Sequence, residues 1–561
     1  MKLFTKLFAA ALLLCAVTVH AAKVLTSWSP TMGYNKSDAA AWQDDGKTVT
    51  LKGIPRGKWM IFRTSPAIPA KAGQTLQITL KNVKLKGEVK LGYYAYVKAF
   101  GYCGQLDADL KNGGESVTVE VPIKPKSTGI VRPRITIMPG AEISFTGIEF
   151  KVVGQPDPVY AATAAPDKAD CLYKIGETAR FTVKVTKDGV ELKEGIVDIN
   201  LHKNGIFVRK FQFDLSKGPA VFEYKMDEPG FAVASLQYTL NGKVLIRNAY
   251  GQAQVGAAGF EPEKIRTGKP APDDLLDYWK GEYAKLCQEV PANFQKKLVN
   301  SIGNHNRYQL ICDNFGGTKT YATIVVPKKP GKYPIIFMVP PAGNSVFSYP
   351  TDYSNTIRVT IAVFDRTFAS QTDYNKFNNP LWYFYMGAQQ RNTYYYYKSI
   401  LGMMRVMDYA MKEIPEWDGK RLAAIGRSQG GGSAFIMAAL NPKIQCLSAD
   451  IPALCDHNAR AAGRRPGWPQ VLDHPKTAKS FAVDAQYFDA ANFAAFVKCP
   501  AVVSVGFYDT MCEPTSVYAA FNNLKGEKKI INCTTFGHGW GSRDNTYDKE
   551  TQLLIKKIFA E

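Results

Sequence analysis

Apolar and polar residues alternate with period two through much of the first 250 positions. Thr48-Val49-Thr50-Leu51, Leu76-Gln77-Ile78-Thr79-Leu80 and Val117-Thr118-Val119-Glu120-Val121 each put every second side chain on one face. That is the mark of strands with one buried side. Ile135-Thr136-Ile137 and the run from Ile143 to Val152 continue the series, and Pro139-Gly140 between them predicts a hairpin. Ala179 to Val185, ended by the turn Lys187-Asp188-Gly189, opens a second group. Gly195 to Leu201, Phe207 to Phe213, Ala220 to Tyr224, Phe231 to Leu240 and Lys243 to Asn248 follow at short intervals. The pattern predicts two all-β sandwich domains, residues 23–155 and 156–258, the second with the strand spacing of an immunoglobulin-like fold.

The period then changes. Val255 to Asp274 is rich in Gly, Pro and Ala and reads as a linker, with 259–274 as its core. Leu275 to Val290 has the spacing of an amphipathic helix. Tyr321 to Pro327, Pro334 to Val339 and Val359 to Phe364 are largely apolar strands. Such runs belong to a mostly parallel sheet with helices on both faces, which assigns residues 275–561 to an α/β domain.

Composition supports globular domains: of 561 residues, 46% are hydrophobic and 21% charged. Lys and Arg outnumber Asp and Glu by 70 to 49, but the excess is spread along the chain. No nucleic-acid motif accompanies it, so no nucleic-acid partner is expected. Residues 1–22 have the form of a signal peptide: Lys2 and Lys6, an apolar stretch from Leu7 to Val19, and a small-residue site near Ala21 or Ala22. Leu14 before Cys15 does not suit a lipoprotein site, so a secreted or periplasmic protein is expected. No later segment is apolar enough to span a membrane. Ten cysteines leave nine after cleavage, an odd number. Cys446, Cys455, Cys499, Cys512 and Cys533 leave room for one or two bridges. Neither Cys nor His shows metal-ligand spacing, and no cofactor is expected.

The candidate chemistry lies in Gly426-Arg427-Ser428-Gln429-Gly430. It stands between the apolar run Leu422-Ala423-Ala424-Ile425 and a second one, Gly431 to Leu440, that reads as a helix. Strand, G-x-S-x-G, helix is the setting of a nucleophile elbow, which lifts the serine off the sheet. A serine hydroxyl needs a base, and in this setting Asp or Glu and then His follow it along the chain. His538, in Phe536-Gly537-His538-Gly539-Trp540, follows the apolar strand Lys529 to Cys533. Asp509 follows the strand Ala501 to Gly506 and is the expected acid, with Glu513 as runner-up; Asp456 and Asp473 read as structural charges. Oxyanion donors are expected from the backbone N–H groups of Gln429 and, in the loop Pro340-Pro341-Ala342-Gly343, of Ala342.

Several segments together resemble the acetyl xylan esterase/cephalosporin-C deacetylase family of α/β-hydrolases. They are Pro415 to Leu422, Gly426 to Gly432, Asp450 to Cys455, Cys499 to Ala520 and Phe536-Gly537-His538. The resemblance spans about residues 275–561 and implies a serine esterase that removes acetyl groups from sugar hydroxyls. It puts the nucleophile, acid and base on Ser428, Asp509 and His538, and implies an acetylated glycan as substrate. The family is often hexameric; the chain itself leaves its assembly state open. The family usually carries His-Gly-Tyr where Pro340-Pro341-Ala342 stands, retains here only Arg366 of an Arg-Gly-Gln-Gly loop, and follows the base with Glu where this chain has Gly539. Residues 23–155 resemble, in pattern, the jelly-roll, carbohydrate-binding-like modules attached to carbohydrate-active enzymes. Trp28, Trp42, Trp59, Tyr93, Tyr94 and Tyr96 are the rings that would stack on sugar or fill a core. Two other readings remain: a glycan-binding envelope protein with an inactive hydrolase scaffold, or an esterase or peptidase of different acyl specificity.

Overall fold

The computed structural model describes residues 17–20, 42–44, 48–52, 60–63, 67–97, 101–124, 129–247, 254–343, 355–366, 375–377, 382–539 and 545–560. The predicted signal, residues 1–22, lies outside this set apart from Val17–His20, as do Trp28 and Trp59; the side chains of Trp42 and Tyr96 are not described either. Two compact units divide at Val159/Tyr160.

In the first unit an antiparallel seven-stranded sheet, whose edge strand Val17–His20 belongs to the predicted signal so that cleavage would leave six strands, and an antiparallel five-stranded sheet share one core, built from Leu76, Ile78, Leu80, Leu91, Ile135 and Phe150 among others. The strands flanking Pro139-Gly140 do not pair with each other. Gly129–Ile137 pairs with Val89–Val97, and Glu142–Phe145 pairs with Val49–Lys52 and Thr75–Lys86. The predicted hairpin is therefore a crossover between sheets, because alternation specifies a buried face and not a partner strand. Tyr93 is buried in the core and Tyr94 lies beneath the Arg134 guanidinium, so neither ring is open to a sugar.

The second unit begins with a four-stranded and a six-stranded sheet over residues 160–260. The segment read as the start of a linker is a strand: Gln254–Phe260 pairs antiparallel with Gly230–Leu240. Its small residues reflect close packing. A Cβ on Gly256 would fall 1.9 Å from the carbonyl oxygen of Ala164, and Ala257 and Ala258 are buried. Strand Gly230–Leu240 serves two cores at once. Ala232, Ala234 and Leu236 point into the core between the two sheets. Phe231 and Val233 point the other way, into the core of the α/β part.

That part is built on a nine-stranded sheet. Its strands, in chain order, are β1 (Gln295–Ile302), β2 (His305–Asp313), β3 (Lys319–Pro327), β4 (Tyr333–Val339), β5 (Ile357–Ile361), β6 (Trp417–Arg427), β7 (Cys446–Asp450), β8 (Ala501–Gly506) and β9 (Lys528–Cys533). The spatial order is β1-β2-β3-β5-β4-β6-β7-β8-β9. The first three pairings are antiparallel and those from β5 to β9 parallel. The central parallel strands β4, β5, β7 and β8 are buried on both faces, which accounts for their largely apolar runs. Helices α1 (Leu275–Glu289), α2 (Tyr395–Glu413), α3 (Gln429–Leu440), α4 (Pro514–Asn523) and α5 (Thr546–Ala560) cover the sheet. Among the described residues no helix is long and apolar enough to cross a membrane. No disulfide joins Cys446, Cys455, Cys499, Cys512 and Cys533, so the bridges for which the sequence left room do not form among them.

Helix α1 turns Leu275, Trp279 and Leu286 inward, and α2 ties down its end. The buried Arg405 guanidinium donates to the carbonyls of Asp313 (2.6 Å), Leu286 (3.1 Å) and Val290 (2.9 Å); it adds a second donor to Leu286 O, which already takes the Val290 N–H, and satisfies Val290 O just beyond the helix C-terminus. Arg405→Met should deprive the Asp313 and Val290 acceptors of this donor and lower stability by about 3 kcal/mol. A denaturant melt with an unchanged m-value checks it.

Candidate active site

The site is assembled at the carboxyl ends of β6, β7, β8 and β9. Strand β6 delivers Ser428 onto a turn with φ 53° and ψ −121°, a strained conformation for a residue with a Cβ. The turn is held from outside. Ser428 N–H donates to Asp450 O at 2.9 Å, and Ser428 O accepts from Gly432 N–H at 3.0 Å and Ala453 N–H at 2.9 Å. The flanking glycines are required by contact. A Cβ on Gly426 would sit 2.0 Å from Gly430 O, and one on Gly430 would sit 2.0 Å from Val339 O. The elbow is thus pressed directly against the end of β4.

The three residues singled out by the sequence meet. Ser428 Oγ lies 3.0 Å from His538 Nε2, and His538 Nδ1 lies 2.8 Å from Asp509 Oδ2. Asp509 Oδ1 accepts the backbone N–H groups of Met511 and Cys512, each at 2.9 Å. With a carboxylate accepting at Nδ1, that nitrogen carries the proton, and Nε2 faces Ser428 with a free lone pair. Asp509 is buried, while His538 stays partly open to solvent. Burial works against a charged imidazole here, but the Cys512 sulfur and the Asp509 carboxylate outweigh it and raise the His538 pKa above its ordinary 6.5. Burial also pushes the Cys512 thiol up to about 11. At neutral pH the thiol is therefore uncharged, and the charge beside the ring is that of Asp509. The Asp509, Cys512 and His538 donor atoms lie within 4.8 Å of one another; a soft divalent cation would meet this donor set.

The other candidates go elsewhere. Glu513, the runner-up acid, is buried and pairs with Arg465 at 3.4 Å. Asp456 takes Arg464 at 2.9 Å and the Gly268 N–H at 2.7 Å. Asp473 accepts both Nε and Nη2 of Arg460. His457 is fully enclosed and burial lowers its pKa to about 4, which keeps it neutral. His474 stacks on Tyr385. Arg366 pairs with Asp365 and lies over Phe377.

Gln429, the first residue of α3, joins the elbow to the loop after β4. Its side-chain oxygen accepts from the hydroxyls of Tyr383 and, at 2.7 Å, Tyr396, and its amide nitrogen donates to Pro340 O at 3.1 Å. The loop that holds Ala342 is thereby tied to the residue after Ser428.

Two supports were not legible as such in the sequence. The first is Arg427. Equivalent positions on β6, β7 and β8 carry Arg427, Asp450 and Ser504. Arg427 Nη1 donates to Asp450 Oδ2 at 2.8 Å, and the Ser504 hydroxyl donates to Asp450 Oδ1. Arg427 Nη2 then reaches Gly539 O at 2.8 Å and His538 O at 3.4 Å. A cation at the elbow therefore holds the histidine loop by its backbone. Its signal was a charge on an otherwise apolar strand end, with an acid at the end of the next strand. Arg427→Met should release that loop and lower kcat by roughly 30-fold, with KM for a small aryl acetate moving much less. Steady-state kinetics check the split, and Arg427→Lys should recover part of the loss.

The second support is the β region before the hydrolase sheet. Phe231 packs edge-on against Phe507, two residues before Asp509, with ring centroids 4.9 Å apart. Asn204 O, at the tip of a hairpin, accepts Arg465 N–H at 2.9 Å. A Cβ on the neighbouring Gly205 would lie 2.6 Å from Arg465 Cβ and 3.0 Å from the Glu513 carboxyl carbon. This β region thus backs the turn that carries Asp509.

The strand order, with a serine on the sharp turn after β6 and Asp509 and His538 on the loops after β8 and β9, defines an α/β-hydrolase. The chain belongs to the acetyl xylan esterase (AXE1) family, whose model matches residues 261–556, and is a carboxylic-ester hydrolase. It is 27% identical over 419 residues to the acetyl esterase Axe7A of Xylanibacter ruminicola, a match covering 71% of this chain and 90% of that protein. Acetyl xylan esterase 1 from a Thermoanaerobacterium species is similar in structure over 53% of this chain and 98% of its own, at 20% identity and a TM-score of 0.46. The acetyl xylan esterase of a Paenibacillus species covers the same shares at 22% identity and a TM-score of 0.45.

Proposed function

We propose that this protein is a secreted serine carbohydrate esterase that removes O-acetyl groups from a polysaccharide or oligosaccharide. The observation that carries the reading is the unbroken hydrogen-bonded series Ser428–His538–Asp509. In the proposed cycle His538 Nε2 takes the Ser428 proton as Oγ attacks the acetyl carbonyl. The backbone N–H groups of Gln429 and Ala342 stabilise the oxyanion. The bond to the sugar oxygen breaks, and His538 returns its proton to that oxygen. Water, activated by the same imidazole, then attacks the acetyl-serine and releases acetate. Asp509 holds the ring in the required tautomer and stabilises its charged form.

Residues 1–22 direct export in this reading. Residues 23–155 act as a jelly-roll, carbohydrate-binding-like domain, and 156–258 as an immunoglobulin-like domain that supports the esterase. The direct test is acetate release from acetylated xylan and from 4-nitrophenyl acetate. Turnover by the wild type that is no better than that of Ser428→Ala on either substrate would reject the proposal.

A further inference from the structure

Beside the nucleophile the chain makes a short turn, Tyr383–Tyr385, whose side chains fan in different directions. Tyr383 is buried and its hydroxyl donates to Gln429, the residue after Ser428. Phe384 lies between Trp382 and Trp468, with ring centroids 5.8 Å and 4.6 Å away. Tyr385 donates to Pro469 O at 2.9 Å. Trp382 is left 47% exposed, its ring nearly parallel to Phe384 at an interplanar angle of 16°. Single exposed apolar residues are ordinary; this one is held flat on a rigid base tied to the site at two points. One tie is Tyr383 to Gln429. The other runs from Phe384 to Trp468, whose N–H donates to Met511 O at 2.7 Å, and the Met511 N–H in turn donates to Asp509. Trp382 is thus one residue, about 3.8 Å between Cα atoms, from the tyrosine that hydrogen-bonds the residue after the nucleophile.

We propose that Trp382 is the stacking platform of a sugar subsite, taking the apolar C–H face of a pyranose ring next to the one that bears the ester. This deepens the reading above and rests on it. An indole offers a large, flat face with little conformational freedom to lose, and a pyranose presents C–H bonds on one face and hydroxyls at its rim. A small aryl acetate has no neighbouring ring to place there. The subsite would act through KM on a glycan.

The test compares wild type, Trp382→Ala and Trp382→Phe on acetylated xylo-oligosaccharides and on 4-nitrophenyl acetate. For Trp382→Ala the oligosaccharide KM should rise about tenfold with kcat nearly constant, and the ratio of kcat/KM values, oligosaccharide over aryl acetate, should fall about tenfold. Trp382→Phe should restore most of that ratio. Calorimetric titration of the acetylated oligosaccharide into Ser428→Ala and into Ser428→Ala/Trp382→Ala should show the same loss of affinity. Equal proportional losses on both substrates would assign the ring a merely structural role and overturn the subsite. So would an oligosaccharide KM that moves less than about twofold. A loss confined to esters of aromatic acids would assign the ring to the acyl group and overturn it as well. If the wild type hydrolyses 4-nitrophenyl acetate but no acetylated oligosaccharide, the substrate reading falls and takes the subsite with it; glycan turnover indifferent to Trp382 removes the subsite alone.

Discussion

Ser428→Ala is expected to lower kcat for ester hydrolysis by roughly 10,000-fold or more, a rise in barrier of about 5.5 kcal/mol. The size follows from the proposed chemistry. Without Oγ there is no acyl-serine, and what remains is water attack on an ester held by the oxyanion donors. The fold should survive, because the turn is fixed by backbone bonds to Asp450, Gly432 and Ala453 and alanine keeps the Cβ. A companion variant separates chemistry from folding. Ser428 sits at φ 53°, where glycine is unstrained, so Ser428→Gly should be as inactive as the alanine variant yet more stable than wild type by about 1 kcal/mol. Burst kinetics with 4-nitrophenyl acetate and a thermal melt measure the two effects together. A serine variant that still shows the wild-type burst would displace Ser428 from the mechanism.

Asp509→Asn should cost about 10,000-fold in kcat while changing the pH profile in a defined direction. An asparagine that turns its NH2 toward Nδ1 stabilises the wrong tautomer, with the proton on Nε2, where a lone pair is needed. The pH argument has a fixed sign. The base works only when neutral, so kcat/KM rises with pH through the His538 pKa. Cys512 and Asp509 together hold that pKa above 6.5, so the acid limb of the wild-type profile should lie above pH 6.5. With a neutral side chain at position 509 the raising charge is gone while burial of the ring still lowers its pKa, and the limb should move down. A residual activity whose acid limb stays at the wild-type pH would mean that another group supplies the charge. Glu513, bound to Arg465 and pressed by the Gly205 hairpin tip, is poorly placed to do so.

Much of this architecture was legible because short-range physics is written into residue order. The run Ala501–Gly506 has the pattern of a strand and is β8; Leu275 to Val290 has the spacing of a helix and forms α1 at Leu275–Glu289. Both have strong periodicity or an unbroken apolar run with clear stops. G-x-S-x-G stood out because two glycines at that spacing answer a steric demand, seen in the 2.0 Å approaches at Gly426 and Gly430. Elsewhere composition imitates a different structure. Gly256, Ala257 and Ala258 looked like linker because small residues also mark a strand pressed against a neighbouring backbone. The Pro139-Gly140 turn looked like a hairpin because a crossover between sheets uses the same residues.

The amino-acid order by itself determined the elements, the elbow and the identities of Ser428, Asp509 and His538 as candidates, since each rests on spacing within a few residues or on order along the chain. The tertiary structure alone decided how they are held. Parallel register aligned Arg427, Asp450 and Ser504 across three strands and sent the guanidinium to the histidine loop. Packing placed Phe231 behind the Asp509 turn and the Gln429 side chain between two tyrosines and Pro340. These contacts join residues up to 276 positions apart, as with Phe231 and Phe507, and no local pattern encodes them: a side chain states what it needs for burial or hydrogen bonding, and only the folded sheet supplies the partner.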